Sequence, residues 1–381
     1  MIYIMLVVCF IASILLTPVV KKLAFKLGAM DKPEQRKVHQ KVMPRMGGLA
    51  IYISFLIGAL IINPDKDYHY PILLGSAVII VTGMLDDIYN LSAKVKFLAQ
   101  TLAAVIVVVW GGVQVEFINL PFGGKLEFGF LDIPITILWI VGITNAMNLI
   151  DGLDGLASGV SSIALFTITG MAMIMGNGYV IAISSIVLAA TLGFLFFNFY
   201  PAKIFLGDTG ALFLGYIIAV MSLLGFKNVA LISFVIPVII LGVPISDTFF
   251  AIIRRLVNKQ PLMAPDKSHL HHCLLNVGFT HRQTVIIIYA MASFFGLVAV
   301  IFSQAKVWGA ILLIVTVLLI IELIVEKIGL VGKNYKPILK FINDIRYSAE
   351  KIMIIKVGNV SNNGDIPDFY YYAFTSIHSL S

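Results

Sequence analysis

The sequence predicts an all-α polytopic integral membrane protein with about eleven transmembrane helices, its N-terminus outside and its C-terminus inside. Three observations lead there. Of 381 residues, 59% are hydrophobic and only 12% are charged, roughly half the charged share of ordinary soluble domains. Mean hydropathy is +0.98. The apolar residues are also gathered into runs close to the ~20 residues that cross a bilayer.

Taken in order, the expected spans are 2–20, 46–62, 71–85, 96–112, 133–148, 157–175, 179–198, 210–225, 229–247, 284–303 and 307–326. The first has no basic residues ahead of it; Lys21 and Lys22 follow it. It is therefore expected to stay as a span rather than to be removed as a signal peptide. The run at 71–85 is short for a crossing. Between the fourth and fifth spans, Val113 to Phe130 alternates apolar and polar residues around Pro121-Phe122-Gly123-Gly124, which predicts a small extracellular β-hairpin near 113–130. Residues 1–328 read as one polytopic domain and 329–381 as a basic, then polar, cytoplasmic tail. The opening of that tail, Lys333 to Lys356, is amphipathic enough to lie on the membrane surface. The two cysteines, Cys9 and Cys273, supply neither a disulfide framework nor a paired metal motif. No inverted repeat of the transporter kind is visible.

The basic residues set the orientation. Of 27 Lys and Arg, only Lys66, Lys125, Lys227 and Lys306 fall in outer loops if the N-terminus is outside. That asymmetry is the positive-inside pattern. The net charge of +7 is then explained by anionic inner-leaflet lipid and needs no nucleic acid.

With this topology every unusual polar cluster falls on one side. Pro44-Arg45-Met46-Gly47-Gly48 precedes the second span, and Asp86-Asp87-Ile-Tyr-Asn90 with Lys96 follows the third. Asn145-Ala-Met-Asn148-Leu-Ile-Asp151-Gly-Leu-Asp154-Gly-Leu156 ends the fifth. Phe205-Leu-Gly207-Asp208-Thr209-Gly210 opens the eighth, and Arg254-Arg255 and His269-Leu-His271-His272 follow the ninth. Asn145, Asn148, Asp151 and Asp154 are spaced three apart, so a continuous helix would turn them toward one cleft. A carboxylate within a membrane costs about 2.5–3.5 kcal/mol on insertion scales and marks a site by default. The bland alternatives are helix caps, solvated loop pairs and positive-inside anchors. Asp208 fits an N-cap as well as a functional role, because Gly-Asp-Thr-Gly before an apolar run is a cap pattern. Lys21-Lys22 fits an anchor alone. A calcium loop fails because Leu153 and Gly155 stand where ligands should be. A zinc site at the histidines is the weaker alternative, for want of helical His spacing or a cysteine pair.

Five acids, Asp86, Asp87, Asp151, Asp154 and Asp208, with oxygen ligands on offer, suggest a hard divalent cation, and magnesium is usual beside phosphate. Arg45, Lys96 and the histidines among them suggest phosphate groups. A cation-coupled membrane transporter is the competing class. It would place carboxylates in mid-span.

The set Asp-Asp-x-x-Asn at 86–90, Asn-x-x-Asn-x-x-Asp-Gly-x-Asp-Gly-Leu at 145–156, Phe-x-Gly-Asp-x-Gly at 205–210 and His-x-His-His at 269–272, in this order, resembles the polyprenyl-phosphate N-acetylhexosamine-1-phosphate transferase family over residues 20 to 290. Pro44-Arg45-Met46-Gly47-Gly48 and the interrupted histidines favour the branch using UDP-GlcNAc over the phospho-MurNAc-pentapeptide branch. Within it, Asp266 to Leu275 is similar to the Gram-positive type that begins teichoic acid linkage units. The resemblance implies transfer of GlcNAc-1-phosphate from UDP-GlcNAc to undecaprenyl phosphate at the cytoplasmic face of a bacterial cell membrane. UDP-MurNAc-pentapeptide and UDP-GalNAc are the alternative donors. It implies a Mg2+ cofactor, with Mn2+ as substitute, held by Asp208 and Asn148. Asp86 and Asp87 stand near the lipid phosphate, with His269, His271 and His272 at the sugar or diphosphate end, as the catalytic set. Substrate binding falls to Arg45, Asn90, Lys96, Asn145, Asp151 and Asp154. The lipid bilayer is the further partner, and a homodimer is compatible with the sequence.

Overall fold

In lipid each backbone N–H needs a partner within its own segment, so long apolar runs become helices. A computed structural model describes residues 2–31, 42–119, 124–226, 235–257, 259, 268–329, 336–341, 343–344 and 347. Its helices are α1 (Ile2–Leu27), α2 (Gly48–Ile62), α3 (His69–Tyr89), α4 (Ala93–Val105), α5 (Asp132–Ile150), α6 (Leu156–Met175), α7 (Gly178–Asn198), α8 (Gly207–Phe226), α9 (Val235–Ile240), α10 (Gly242–Val257), α11 (Leu270–Val277), α12 (His281–Gln304) and α13 (Val307–Ile328). Nine helices among the described residues are long and apolar enough to cross a membrane. Two short antiparallel pairs accompany them: β1 (Met30–Asp31) with β2 (Met43–Pro44), and β3 (Phe117–Asn119) with β4 (Lys125–Glu127). The second is the expected hairpin; residues 120–123 of its turn lie outside the described residues.

Two elements differ from expectation, and the fourth run forms the expected span with its ends shifted. The short run at 71–85 is a full helix, α3, whose last turn takes in Asp86 and Asp87. Ser92 starts α4 by accepting the Val95 N–H, and one wide turn, Ile106–Trp110, ends it. The ninth run, whose residues 229–234 lie outside the described residues, is not one straight span. It divides at Leu241 into α9 and α10. Pro244 has no N–H to continue the α9 ladder, yet it fits the first turn of a new helix. α10 then runs to Val257, through residues expected to be loop, because one face still buries Asp247, Phe250, Ala251 and Arg254.

α8 is the helix about which the others are arranged. It packs against α2, α3, α5 and α6, and Phe213 and Tyr216 are wholly buried. Tyr52 and Phe55 of α2 meet Phe213 at ring-centroid separations of 5.3 and 5.5 Å. α1 closes against α2 and α7 and leaves Tyr3, Val7, Ile11 and Leu15 exposed, a surface suited to lipid. Residues 1–316 and 317–381 form two separate compact units. In the second, the Glu326 carboxylate accepts the N–H groups of Ile338 and Leu339 at 2.6 and 2.8 Å. Most of the expected surface stretch 333–356 lies outside the described residues.

Candidate active site

The start of α8 is built by backbone meeting backbone. Phe205 N–H donates to Pro44 O at 2.9 Å, Gly47 N–H to Phe205 O at 3.0 Å and Gly48 N–H to Leu206 O at 2.9 Å. A Cβ on Gly48 would stand 2.0 Å from Gly210 Cα, and one on Gly83 would stand 2.4 Å from Thr209 Cα. Only glycine permits that approach. The expectation that Asp208 caps α8 is corrected: Asp208 lies inside the first turn, and the cap comes from α3. Asp87 Oδ1 accepts the Asp208 N–H at 3.0 Å, while Oδ2 accepts the Thr209 N–H at 3.1 Å and the Thr209 hydroxyl at 2.6 Å. Four orphan N–H groups open every helix, and a buried carboxylate serves two of them here.

That frees the Asp208 carboxylate to bridge two cations. Lys96 Nζ lies 2.7 Å from Asp208 Oδ2 and 3.0 Å from Asp86 Oδ2. Arg45 approaches Asp208 Oδ1 at 3.3 Å through Nη2 and Asp87 Oδ1 at 3.2 Å through Nε. Three carboxylates and two cations thus form one chain, Asp86–Lys96–Asp208–Arg45–Asp87, part-buried at the ends of four helical segments.

The stretch at 145–156 does not continue as a helix. α5 ends at Ile150, Asp151 caps it, and the chain turns through Gly155 at φ +75° into α6. The three-residue spacing therefore does not place all four polar groups in one cleft. Asn145 instead donates to Gln100 of α4 and to Val141 O. The turn is held from α12 and from the 200–202 loop. Asp154 N–H donates to His281 Nε2 at 3.0 Å, and Ala202 N–H donates to Asp154 Oδ2 at 2.9 Å. The Tyr289 hydroxyl donates to Gly155 O at 2.5 Å across Gly159, where any Cβ would collide with the phenol. His271 seats against Gly152, where a Cβ would be 2.3 Å from its Nε2. Burial, then the neighbouring His272, pushes His271 down to about 3, so it is a neutral imidazole. Burial, then the Asp208 charge, pushes Asp151 up to about 8, against the pull of Arg45.

A cavity of about 730 Å3 opens here. Of the residues singled out from the sequence, Arg45, Asn148, Asp151, Asp154, Asp208, His271 and His272 line it. Asp86, Asp87 and Lys96 join it through Asp208 and Arg45 rather than lining it. Asn90 ends α3 in the left-handed conformation, its N–H on Asp86 O, and is not part of the wall. His269 stands behind the wall with its Nδ1 3.0 Å from Asp247 Oδ2.

The model of glycosyl transferase family 4 matches residues 69–226. The chain is 51% identical to the probable undecaprenyl-phosphate N-acetylglucosaminyl 1-phosphate transferase of Bacillus subtilis (strain 168), over 88% of this chain and 96% of that one. The chain belongs to glycosyl transferase family 4. Other relatives are less similar. The decaprenyl-phosphate N-acetylglucosaminephosphotransferase of Mycobacterium tuberculosis (strain ATCC 25618 / H37Rv) is 36% identical, over 77% of this chain and 81% of its own. The phospho-N-acetylmuramoyl-pentapeptide-transferase of Staphylococcus carnosus (strain TM300) is 32% identical, over 78% of this chain and 98% of its own.

In this family 4 chain the residues suit a metal shared with a ligand. Among the described residues no three His, Cys, Asp or Glu side chains form a cage. Magnesium commonly takes one or two carboxylates and completes its shell with phosphate and water. Asp86 and Asp208, converging on the single ammonium of Lys96, are such a pair. His281 in the cavity wall and Asp247 behind it were not found from the sequence; Asn198 and Tyr200, also in the wall, belong to the polar stretch after the seventh apolar run and were given no role. His281 sits at the edge of an apolar run with no motif about it. Asp247 did carry a signal, a lone carboxylate at the end of the ninth apolar run.

Proposed function

We propose that this chain transfers GlcNAc-1-phosphate from UDP-GlcNAc to undecaprenyl phosphate. The products are undecaprenyl-diphospho-GlcNAc and UMP, and the step is the first membrane step of teichoic acid or another envelope glycopolymer. The name of the B. subtilis relative, 51% identical over nearly its whole length, supports the substrates. The observation that carries the chemistry is the Asp208 carboxylate held between Lys96 and Arg45 at the cavity wall. The basic asymmetry of the loops supports a cytoplasmic face of a bacterial cell membrane for this end.

The two sides of Asp208 fit two substrates. On one side stand Asp86 and Lys96; Phe97, Leu98 and Leu102 of the same α4 are exposed, a greasy edge by which a lipid phosphate reaches Lys96 laterally. On the other side the cavity offers Asn148, Asp151, Asp154, His271 and His272 to a nucleotide sugar. The acceptor phosphate oxygen forms a bond to the phosphorus bearing GlcNAc, and the bond from that phosphorus to UMP breaks. Lys96 and Arg45 offset repulsion between the two anions. Asp86 orients the acceptor phosphate and takes its proton when it enters as the monoanion. Asp87, its oxygens occupied by the α8 backbone, Thr209 and Arg45, positions Asp208 rather than reacting. Magnesium, or manganese in its place, would be held by Asp208 with Asp86 or Asn148 and would neutralise charge on the phosphates. Catalysis is then mainly positioning and charge neutralisation.

The transporter reading is less well supported, because Asp86 and Asp87 occupy the last turn of α3 and Asp208 the first turn of α8, not mid-span. The test is a membrane-fraction assay with undecaprenyl phosphate, magnesium and sugar-labelled UDP-GlcNAc. Labelled lipid with matching UMP release is expected, and more product from UDP-GalNAc or UDP-MurNAc-pentapeptide would reassign the donor. No lipid product from any donor, with folded protein, would refute the reading.

A further inference from the structure

Asp247 belongs to no motif and lines no part of the cavity, yet it is only 3% exposed. It stands in the second turn of α10, on the face turned inward. Both its oxygens point at the segment bearing the histidines. Oδ2 lies 3.0 Å from His269 Nδ1, and Oδ1 accepts the Leu270 N–H at 2.7 Å. His269 is the residue that leads into α11 and has extended backbone, and its own side chain makes no cap hydrogen bond. Asp247 therefore supplies the cap for α11 across 23 residues of sequence. In its first turn the same short helix carries His271 and His272 into the cavity wall. The His269 and His271 rings lie parallel within 3°, their centroids 6.1 Å apart.

We propose that Asp247 is a positioning residue for the transfer reaction: it fixes His269 as the Nδ1–H tautomer and ties the start of α11 in place. The inference rests on the transferase reading. A carboxylate only accepts hydrogen bonds, so the His269 nitrogen facing it carries the proton. The other nitrogen, Nε2, keeps its lone pair. Carboxylate partners set the tautomer and orientation of functional histidines in this way elsewhere.

The amide variant Asp247→Asn separates the two duties. Leu270 N–H can only donate, so the amide oxygen must face it. The amide NH2 then faces His269 Nδ1, which must become the acceptor, and the ring proton moves to Nε2. The anchor is kept and the tautomer reversed.

The experiment uses the full chain in lipid nanodiscs. Nitrogen-15 spectra of histidine-labelled protein at pH 9, where imidazoles are neutral, assign His269 by its loss in His269→Gln. The expected wild-type signal is Nδ1–H, reversed in D247N, with the melting temperature of D247N within a few degrees of wild type. In the assay, D247N is expected to lower kcat about tenfold or more, with the KM for the sugar nucleotide within about twofold. In the H269Q background D247N should cost nothing further, since two residues acting through one interaction do not add. A wild-type Nε2–H signal, an unchanged signal in D247N, full kcat in D247N, or additive losses would each overturn the inference. If D247N does not fold, the wild-type tautomer decides alone. If wild type makes no lipid product, the transferase reading fails, while the spectra still report on Asp247.

Discussion

Asparagine at position 87 is the most demanding test of how the site is built. Asp87 is fully enclosed and gives each oxygen to a different backbone donor: Oδ1 to Asp208 N–H, Oδ2 to Thr209 N–H. An asparagine amide has one oxygen. Whichever way it turns, its NH2 must face a helix N–H, and Arg45 loses its second carboxylate partner. Hydrogen bonds to charged groups contribute about 1.5–3 kcal/mol each, and breaking a buried ion pair costs about 3–5 kcal/mol. Asp87→Asn should therefore lower stability by about 3–5 kcal/mol. Because Asp208 is then loosely held, it should also lose nearly all activity. The pair of assays is thermal unfolding in nanodiscs and lipid-product formation at matched folded protein. Melting at the wild-type temperature would refute the assignment of Asp87 as the cap of α8, whatever the activity.

The other predictions contrast with it. Asp86→Asn should melt near wild type, since Lys96 retains Asp208, yet lose roughly 10²–10⁴-fold in kcat; normal turnover would remove Asp86 from the chemistry. Asp208→Ala should be inactive at any magnesium concentration, and recovery with added metal would refute its role as ligand. Gly152→Ala should drive His271 from its seat and lower kcat/KM by about 10²-fold without unfolding the protein; an unchanged value would show that His271 does not need this position. The Asp151 carboxyl is pushed up to about 8, so the stability tied to its protonated form is present at low pH and lost as pH rises through that value. Asp151→Asn should therefore gain on wild type in melting temperature, in EDTA, as pH climbs from 4 to 9. A constant difference would count against the raised value.

The helices were legible because membrane spans are written in run length and composition, which a single sequence displays. The set of polar loops was legible because each polar cluster stands at the end of an apolar run. What could not be read were contacts between distant segments. Nothing local to Asp87 says that it caps a helix starting 120 residues later, nor that Arg45 would reach across 163 residues to Asp208. The three-residue spacing of Asn145 to Asp154 suggested a helix, but Gly152 and Gly155 end it, so Asn145 braces α4 instead. Pro244 announced the break in the ninth run, which run length alone concealed. His281 acts through one ring nitrogen on a backbone N–H, and backbone partners leave no trace in side-chain patterns.

The seam of Gly48, Gly83 and Gly210 has a consequence for pharmacology. Backbone there meets backbone within the reach of a single methyl group, so even alanine is shut out. An inhibitor that depends on where Asp208 stands would depend on a placement that substitution in this buried seam cannot shift without breaking the packing. The easy routes to resistance would then lie only where the compound touches replaceable side chains.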